Sequence, residues 1–136
     1  DVVGALHAQL RTALAGRAVV LIAPFDMKLD EDTVAQPDVL VLLDVHRDRL
    51  RRTHLEGPAD LVIEVLSQHR ARDERRKRHI YAAANVPEYW LVDPMARTIA
   101  CLRHDGRGYL DAPALSGDAI VPSAIVVQRS VADWLR

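Results

Sequence analysis

A glutamate within an apolar strand is the first residue of this sequence that could do chemistry. The run 61–66 is apolar except for Glu64, and an ionised carboxylate buried there needs a cation or strong hydrogen bonds. The two-residue period of a strand places Asp60 and Glu64 on the same face. The structural alternative is a glutamate near a strand end that pairs with an arginine.

A second carboxylate opens another buried strand. Asp38 follows Pro37 and precedes the unbroken apolar run 39–43, which is typical of a strand covered on both faces. If the two strands are neighbours, the carboxylates of Asp38 and Glu64 come within metal-bridging distance. Two carboxylates, a backbone carbonyl and waters suit a hard cation such as Mg²⁺. The alternative for a Pro-Asp pair is an ordinary turn.

Lys77 is the third candidate, because the chain has sixteen arginines and only two lysines. On a helix it shares one side with Asp73 and Tyr81, so its stem can lie on the core while its amine reaches the strand end. A compact ammonium there can orient the attacking water and neutralise charge on a phosphate. The alternative is a lysine that extends to solvent beside Asp73.

The predicted helix that carries Lys77 is strongly basic. A formal net charge of -1 for the whole chain does not by itself indicate a charged partner. The distribution of charge along the chain is more informative. This basic run suits a polyanion such as a nucleic-acid backbone, which four arginines would contact independently of sequence: Arg70, Arg72, Arg75 and Arg76. The alternative is a solvated helix face.

These residues must be positioned by an α/β (α+β) fold with at least one crossover helix. Apolar spacing predicts helices over 1–15 and 70–84, and a short one that begins at Ser130. Alternating or continuous apolar runs predict strands over 17–23, 25–29, 39–43, 61–66 and 89–92, then a hairpin from 98–103 to Tyr109. Three segments are predicted less regular: a polar connection over 30–37, a surface loop or short helix over 44–58, and a last apolar stretch over 120–127.

Composition sets the wider expectations. The length of 136 residues fits one domain, 1–136. Because the chain begins at Asp1, within a helical pattern, we expect it to lack an N-terminal segment. Its single cysteine, Cys101, and the lack of a secretory signal pattern indicate a reducing, cytoplasmic setting. No apolar run is long enough for a membrane span, and the histidines lack the paired spacing of a zinc site.

Three segments together resemble a known family. They are the run 60–67 around Glu64, the helix with Asp73, Lys77 and Tyr81, and the segment 86–94 with its Glu-Tyr-Trp sequence. This combination resembles the Uma-two group of restriction endonucleases, within the PD-(D/E)XK nuclease superfamily, over roughly residues 20 to 110.

The resemblance implies a restriction-endonuclease-like mixed central sheet flanked by helices, and a metal-dependent endonuclease that hydrolyses DNA phosphodiester bonds. Asp38 and Glu64 match the metal carboxylates, the Val65 carbonyl completes the ligands of Mg²⁺ (or Mn²⁺), and Lys77 matches the catalytic lysine. The sequence departs from the parent pattern at Leu66, where the superfamily has its lysine. An acidic residue of the family's N-terminal portion has no counterpart here.

Two rival interpretations stay open. One is a catalytically inactive module that keeps the nuclease fold for nucleic-acid binding or protein interaction. The other is an apolar-pocket protein in which Glu64 pairs with an arginine of the following helix. Analogy with nucleases, and nothing else, suggests a homodimer.

Overall fold

The computed structural model describes residues 1–67 and 71–136, and only the backbone of Ala71 and Arg72. Its helices are α1 (Val2–Ala13), α2 (Ala71–Ala83) and the short α3 (Val131–Trp134), with a 3₁₀ helix at Asp44–Arg49. Its strands are β1 (Ala18–Ile22), β2 (Asp26–Asp30), β3 (Thr33–Ala35), β4 (Val39–Leu43), β5 (His54–Glu56), β6 (Leu61–Val65), β7 (Glu88–Asp93), β8 (Thr98–Arg103) and β9 (Leu115–Ser116).

The strands form two sheets. The larger has six strands in the order β1-β4-β6-β7-β8-β9, and the smaller has three in the order β3-β2-β5. In the larger sheet β6 and β7 are parallel and the other pairs are antiparallel. Parallel neighbours need a crossover, and α2 provides it between β6 and β7.

Both faces of the six-stranded sheet are covered. The alternation of side chains along each strand sends Val41 and Ile63 to a core shared with α1 and α3, whereas Leu40 and Val62 face a second core shared with α2 and the small sheet. This two-sided burial explains why β4 and β6 are almost continuously apolar. It also makes any carboxylate on these strands costly unless it is paired.

The helix α1 anchors one face of the sheet. Its N-cap Asp1 accepts a hydrogen bond from the Gly4 amide at 3.1 Å, and Leu6 and Leu10, one turn apart, are fully buried. On the opposite face, α2 ends before Asn85, whose φ of 60° is the left-handed conformation that commonly ends a helix. The chain then enters β7, parallel to β6.

The predicted order of helices and strands is confirmed through β8, with differences in the less regular segments. In the predicted hairpin, Tyr109 forms only an isolated bridge with His104, and β8 pairs instead with β9, which was not predicted. The connection over 30–37 contains the strand β3, and the segment 44–58 contains β5 besides its 3₁₀ helix. In the described part of the chain the stretch 120–127 belongs to no named strand, and Ile120 forms one isolated bridge with Ser130. Of the helices in the described residues, none has the length and apolar character to cross a membrane.

Candidate active site

Glu64 lies on β6 and faces the helix α2. Its side chain is buried, with 5% of the residue exposed, and each carboxylate oxygen has a donor. Lys77 Nζ lies 3.0 Å from Oε1, and the Tyr81 hydroxyl donates to Oε2 at 2.5 Å. These two bonds compensate the burial that the sequence predicted to be costly.

Lys77 and Tyr81 reach the same carboxylate because they are four residues apart on one face of α2. Lys77 keeps 19% of its side chain exposed and also lies 3.6 Å from the Asp73 carboxylate, one turn earlier. The Tyr81 ring is fully buried and packs edge-to-face on Tyr89, with 5.4 Å between ring centroids. The helix therefore presents one partly exposed cation and one buried hydroxyl to Glu64.

Asp38 lies across from Glu64 at the start of β4. The antiparallel register pairs Val39 with Ile63. Asp38, directly before β4, therefore stands opposite Glu64 on β6. Asp38 Oδ2 accepts a hydrogen bond from the Val65 amide at 2.7 Å, which fixes this carboxylate beside the backbone of β6. The two candidate carboxylates thus occupy neighbouring strands on the same face of the sheet.

The electrostatics of Glu64 reflect these neighbours. Burial raises the pKa of Glu64, while the Tyr81 hydrogen bond and the Lys77 charge lower it and the negative charge of Asp38 raises it again. Burial, followed by the charge of Glu64, also raises the pKa of Tyr81. Tyr81 therefore stays a protonated donor, and Asp38 is close enough for its charge to be felt at Glu64.

An open cleft of about 540 Å³ adjoins this group. Asp38, Asp73 and Lys77 line it together with Arg76 and two residues from the region of the small sheet. These are Asp26 on β2 and Gln36 directly after β3, and the Gln36 side chain donates a hydrogen bond to Asp26. Glu64 lines a smaller neighbouring space with Val65, Leu66 and Lys77. Lys77 borders both spaces, so its ammonium stands between the cleft and the Glu64 carboxylate.

The predicted DNA-binding arginines are placed differently from one another. Arg76 is exposed and lines the cleft, whereas Arg75 is exposed but is not among the residues that line it in the described structure. Arg70 lies outside the described residues, and the side chain of Arg72 is not described. The structure therefore brings Arg76 to the candidate site.

The set of possible metal ligands is small. Within residues 1–67 and 71–136 no group of three or more histidine, cysteine, aspartate or glutamate residues could hold a metal ion. What the site offers a cation is the two carboxylates of Asp38 and Glu64 and the backbone oxygen of Val65. The amide of Leu66 donates a hydrogen bond to the Val92 carbonyl of β7. Successive residues of a strand direct their backbone groups to opposite neighbouring strands, so the N–H and C=O of Val65 face β4.

The structure changes the interpretation of two residues, Glu64 and Tyr81. The pairing of Glu64 with an arginine is wrong for the part of the chain described, where its partners are Lys77 and Tyr81. Tyr81, which the sequence places on the same helix side as Lys77, is buried in the core, and its hydroxyl also belongs to the site. The spacing of four residues from Lys77 is the sequence signal that could have identified it.

Asp60 shares the face of Glu64 but serves the far end of β6. It accepts a hydrogen bond from the Leu43 amide at 2.8 Å and contacts His46 Nδ1 at 2.8 Å. These partners join β6 to the turn after β4. Asp60 therefore stabilises the fold away from the candidate site.

Comparisons with known proteins point in one direction. A profile of the Uma2 family, described as "Putative restriction endonuclease", matches residues 1–132. A solved structure from Anabaena variabilis ATCC 29413, described as "a putative nuclease belonging to DUF820", superposes with a TM-score of 0.75 at 17% identity, covering 100% of this chain and 83% of that one. None of the curated proteins matches the chain. At this identity the structural likeness shows a shared fold.

Proposed function

The chain belongs to the Uma2 family, described as "Putative restriction endonuclease", and from this membership and the geometry of the site we propose that it is a metal-dependent endonuclease that hydrolyses DNA phosphodiester bonds. The resemblance seen in the sequence and the mixed, helix-flanked sheet are both confirmed. The metal, the hydrolysis and the roles of individual residues are the proposal.

One observation carries the proposal: the register of β4 and β6 sets Asp38 opposite Glu64, with Lys77 beside them at the rim of an open cleft. The donor set fits a hard cation. Mg²⁺ keeps several waters and commonly takes only one or two carboxylates from a protein, so Asp38, Glu64 and the Val65 carbonyl suffice. Thiolate and imidazole ligands, which zinc prefers, are absent from this set.

When bound, Mg²⁺ or Mn²⁺ would lower the pKa of a water and stabilise negative charge on the phosphodiester oxygens. Asp38 and Glu64 would hold the cation, and the hydrogen bond from the Val65 amide keeps Asp38 in place. Lys77 has three N–H donors. One contacts Glu64, so the others remain to orient the attacking water in line with the scissile bond and to neutralise the phosphate.

The basic face of α2 supports binding of the substrate. Arg76 borders the cleft next to Lys77 and would contact a phosphate beside the scissile one. Arg72 and Arg75 belong to the same helix, and Arg70 precedes it directly in the sequence. These three arginines would add contacts along the DNA backbone that are independent of sequence. Affinity built from such contacts falls steeply with salt.

A nicking assay on supercoiled plasmid with added Mg²⁺ or Mn²⁺ tests the activity. We expect the chain to cut only with metal, and Asp38→Asn, Glu64→Gln and Lys77→Ala to abolish cutting. Lys28→Ala, which removes the other lysine, on strand β2, is the matched control and should cut like the parent. DNA affinity, measured by gel shift without metal, should survive Lys77→Ala largely intact.

The inactive module predicts a different outcome: binding to DNA in the gel shift but no cutting with either metal. Calorimetric titration with Mn²⁺ separates the two as well. The endonuclease binds Mn²⁺, and the heat disappears in Asp38→Ala and Glu64→Ala. Absence of that heat in the parent chain would refute the metal site.

The cytoplasmic setting and the homodimer stay predictions. A homodimer would pair two sites to cut both strands, and sedimentation of the chain with and without duplex DNA measures it. A monomer in both conditions would contradict the pairing.

A further inference from the structure

The carboxylate of Glu64 is held by two donors of different character. Lys77 has a flexible four-carbon stem, is partly exposed, and has a second carboxylate, that of Asp73, 3.6 Å away. Its ammonium can therefore leave Glu64 without losing all its ionic partners. Tyr81 has no such freedom, because it is fully buried and donates to Oε2 at 2.5 Å.

The ring of Tyr81 is fixed by other rings. It meets Tyr89 edge-to-face at 5.4 Å and an angle of 73°, and Tyr89 meets Tyr109 at 5.8 Å. Such packing leaves few rotamers open to a side chain with two torsions. The position of the Tyr81 hydroxyl is therefore set by the core behind it, and not by the carboxylate it binds.

Packing alone does not explain the hydroxyl of Tyr81, which donates a hydrogen bond to Glu64. A phenylalanine would fill the same space, and a buried hydroxyl is unfavourable unless it forms a hydrogen bond. The neighbouring Tyr89 differs in this respect, because its buried hydroxyl has no hydrogen-bond partner among the residues that the structure describes. Of these two adjacent phenols, only that of Tyr81 is directed at a candidate metal ligand.

We propose that Tyr81 is a positioning residue whose hydroxyl holds the Glu64 carboxylate in one orientation for a divalent cation shared with Asp38. This inference rests on the proposed metal site. A carboxylate has about four acceptor positions, and Lys77 and Tyr81 occupy two, so positions remain for a cation. While Lys77 serves the phosphate and the water, Tyr81 keeps Glu64 from turning.

The test compares Tyr81→Phe with Tyr89→Phe in the full chain, since both remove one hydroxyl from neighbouring buried rings. Calorimetry with Mn²⁺ alone gives the metal affinity, and single-turnover plasmid nicking over a range of Mn²⁺ gives the half-saturating metal concentration and the limiting rate. For Tyr81→Phe we expect metal affinity to fall about 10-fold, as for other groups that orient a metal ligand, with a similar rise in half-saturation. Tyr89→Phe should match the parent within about twofold, the scatter expected of a group without a partner.

Each other outcome overturns the inference in a recognisable way. Equal Mn²⁺ affinity in Tyr81→Phe and the parent, or equal losses in both variants, would show that the hydroxyl orients nothing. Failure of Tyr81→Phe to fold while Tyr89→Phe folds would assign the hydroxyl to stability. A parent chain that binds no Mn²⁺ would overturn the metal site and this inference together, whereas a parent that binds Mn²⁺ but cuts no DNA would refute the hydrolysis and leave the affinity comparison decisive.

Discussion

Replacing Lys77 with methionine removes the ammonium from Glu64 while keeping an unbranched, apolar side chain in its place. The variant isolates charge from packing, because most of the Lys77 side chain is buried and the methionine can cover the same surface. What is lost is the ion pair of 3.0 Å between Lys77 Nζ and Glu64 Oε1. The contact of 3.6 Å with the more exposed Asp73 adds only a few tenths of a kcal/mol.

The size of the effect follows from the geometry. At the observed 3.0 Å separation and an effective dielectric constant of about 20, the pair interaction is about 5.5 kcal/mol. Desolvation of the partly exposed ammonium offsets some of this energy, and removing one partner of a buried pair typically costs 3–5 kcal/mol. We expect Lys77→Met to lower the free energy of unfolding by about 3 kcal/mol near pH 8, a large share of the stability of a domain of this size.

The loss must depend on pH, with a definite sign. Burial raises the pKa of Glu64 above the ordinary glutamate value of 4.5, and Lys77 opposes that rise; without Lys77 the pKa in the folded state rises further. A group whose pKa is higher when folded contributes stability that is present below its unfolded pKa and is lost as pH rises through its folded pKa. The deficit of Lys77→Met should therefore be small near pH 4 and reach its full size at neutral and alkaline pH.

Urea unfolding at about pH 4 and about pH 8 measures both deficits. Lys28→Met is the control and should stay within about 0.5 kcal/mol of the parent at both. The double variant Lys77→Met with Glu64→Gln should be more stable than Lys77→Met alone near pH 8, because no unpaired charge stays buried. Equal deficits at the two pH values, or none near pH 8, would refute the reasoning.

Three more predictions follow from other contacts. Arg76→Ala should weaken duplex binding and reduce the slope of log affinity against log salt by about one, as measured by anisotropy, while Arg136→Ala, beyond the end of α3, should leave the slope unchanged. Asp60→Ala leaves the Leu43 amide unpaired and should cost about 2 kcal/mol in urea unfolding, yet the folded variant should nick plasmid at the parent rate; a lost rate would place Asp60 in the site. Burial raises the pKa of Glu64 above 4.5, so Mn²⁺ affinity should fall as acidification through that pKa protonates the carboxylate. Calorimetry that finds the same Mn²⁺ affinity across this pH range would contradict Glu64 as a metal ligand.

The sequence predicted the elements whose patterns are long and local. The apolar spacing of α1 and the continuous runs of β4 and β6 are signals of burial on one stripe or on both faces, and the structure has each element there. The strands β3, β5 and β9 were missed because each has only two or three residues. In addition, β5 pairs in parallel with β2, far away in the chain, so no local pattern marks it.

The sequence predicted those site residues whose type is unexpected among their sequence neighbours. Glu64 is conspicuous because it is a carboxylate in an apolar strand, and Lys77 because it is a lysine among arginines. Tyr81 is not unexpected in this way, since an aromatic residue on an apolar helix stripe is explained by packing alone. The hydrogen bond from Val65 to Asp38 likewise depends on strand register, which the sequence does not specify before the strands pair.

The arrangement of aromatic residues gives this protein two separate optical reporters. Both tryptophans of the chain, Trp90 and Trp134, lie on the α1 face of the sheet with ring centroids 5.3 Å apart, while Tyr81, Tyr89 and Tyr109 lie on the α2 face. Tryptophan emission excited selectively will therefore follow the docking of the C-terminal helix, whereas tyrosine absorbance will follow the surroundings of the cleft. Disagreement between the two signals during unfolding would reveal that the two layers of the domain come apart in separate steps.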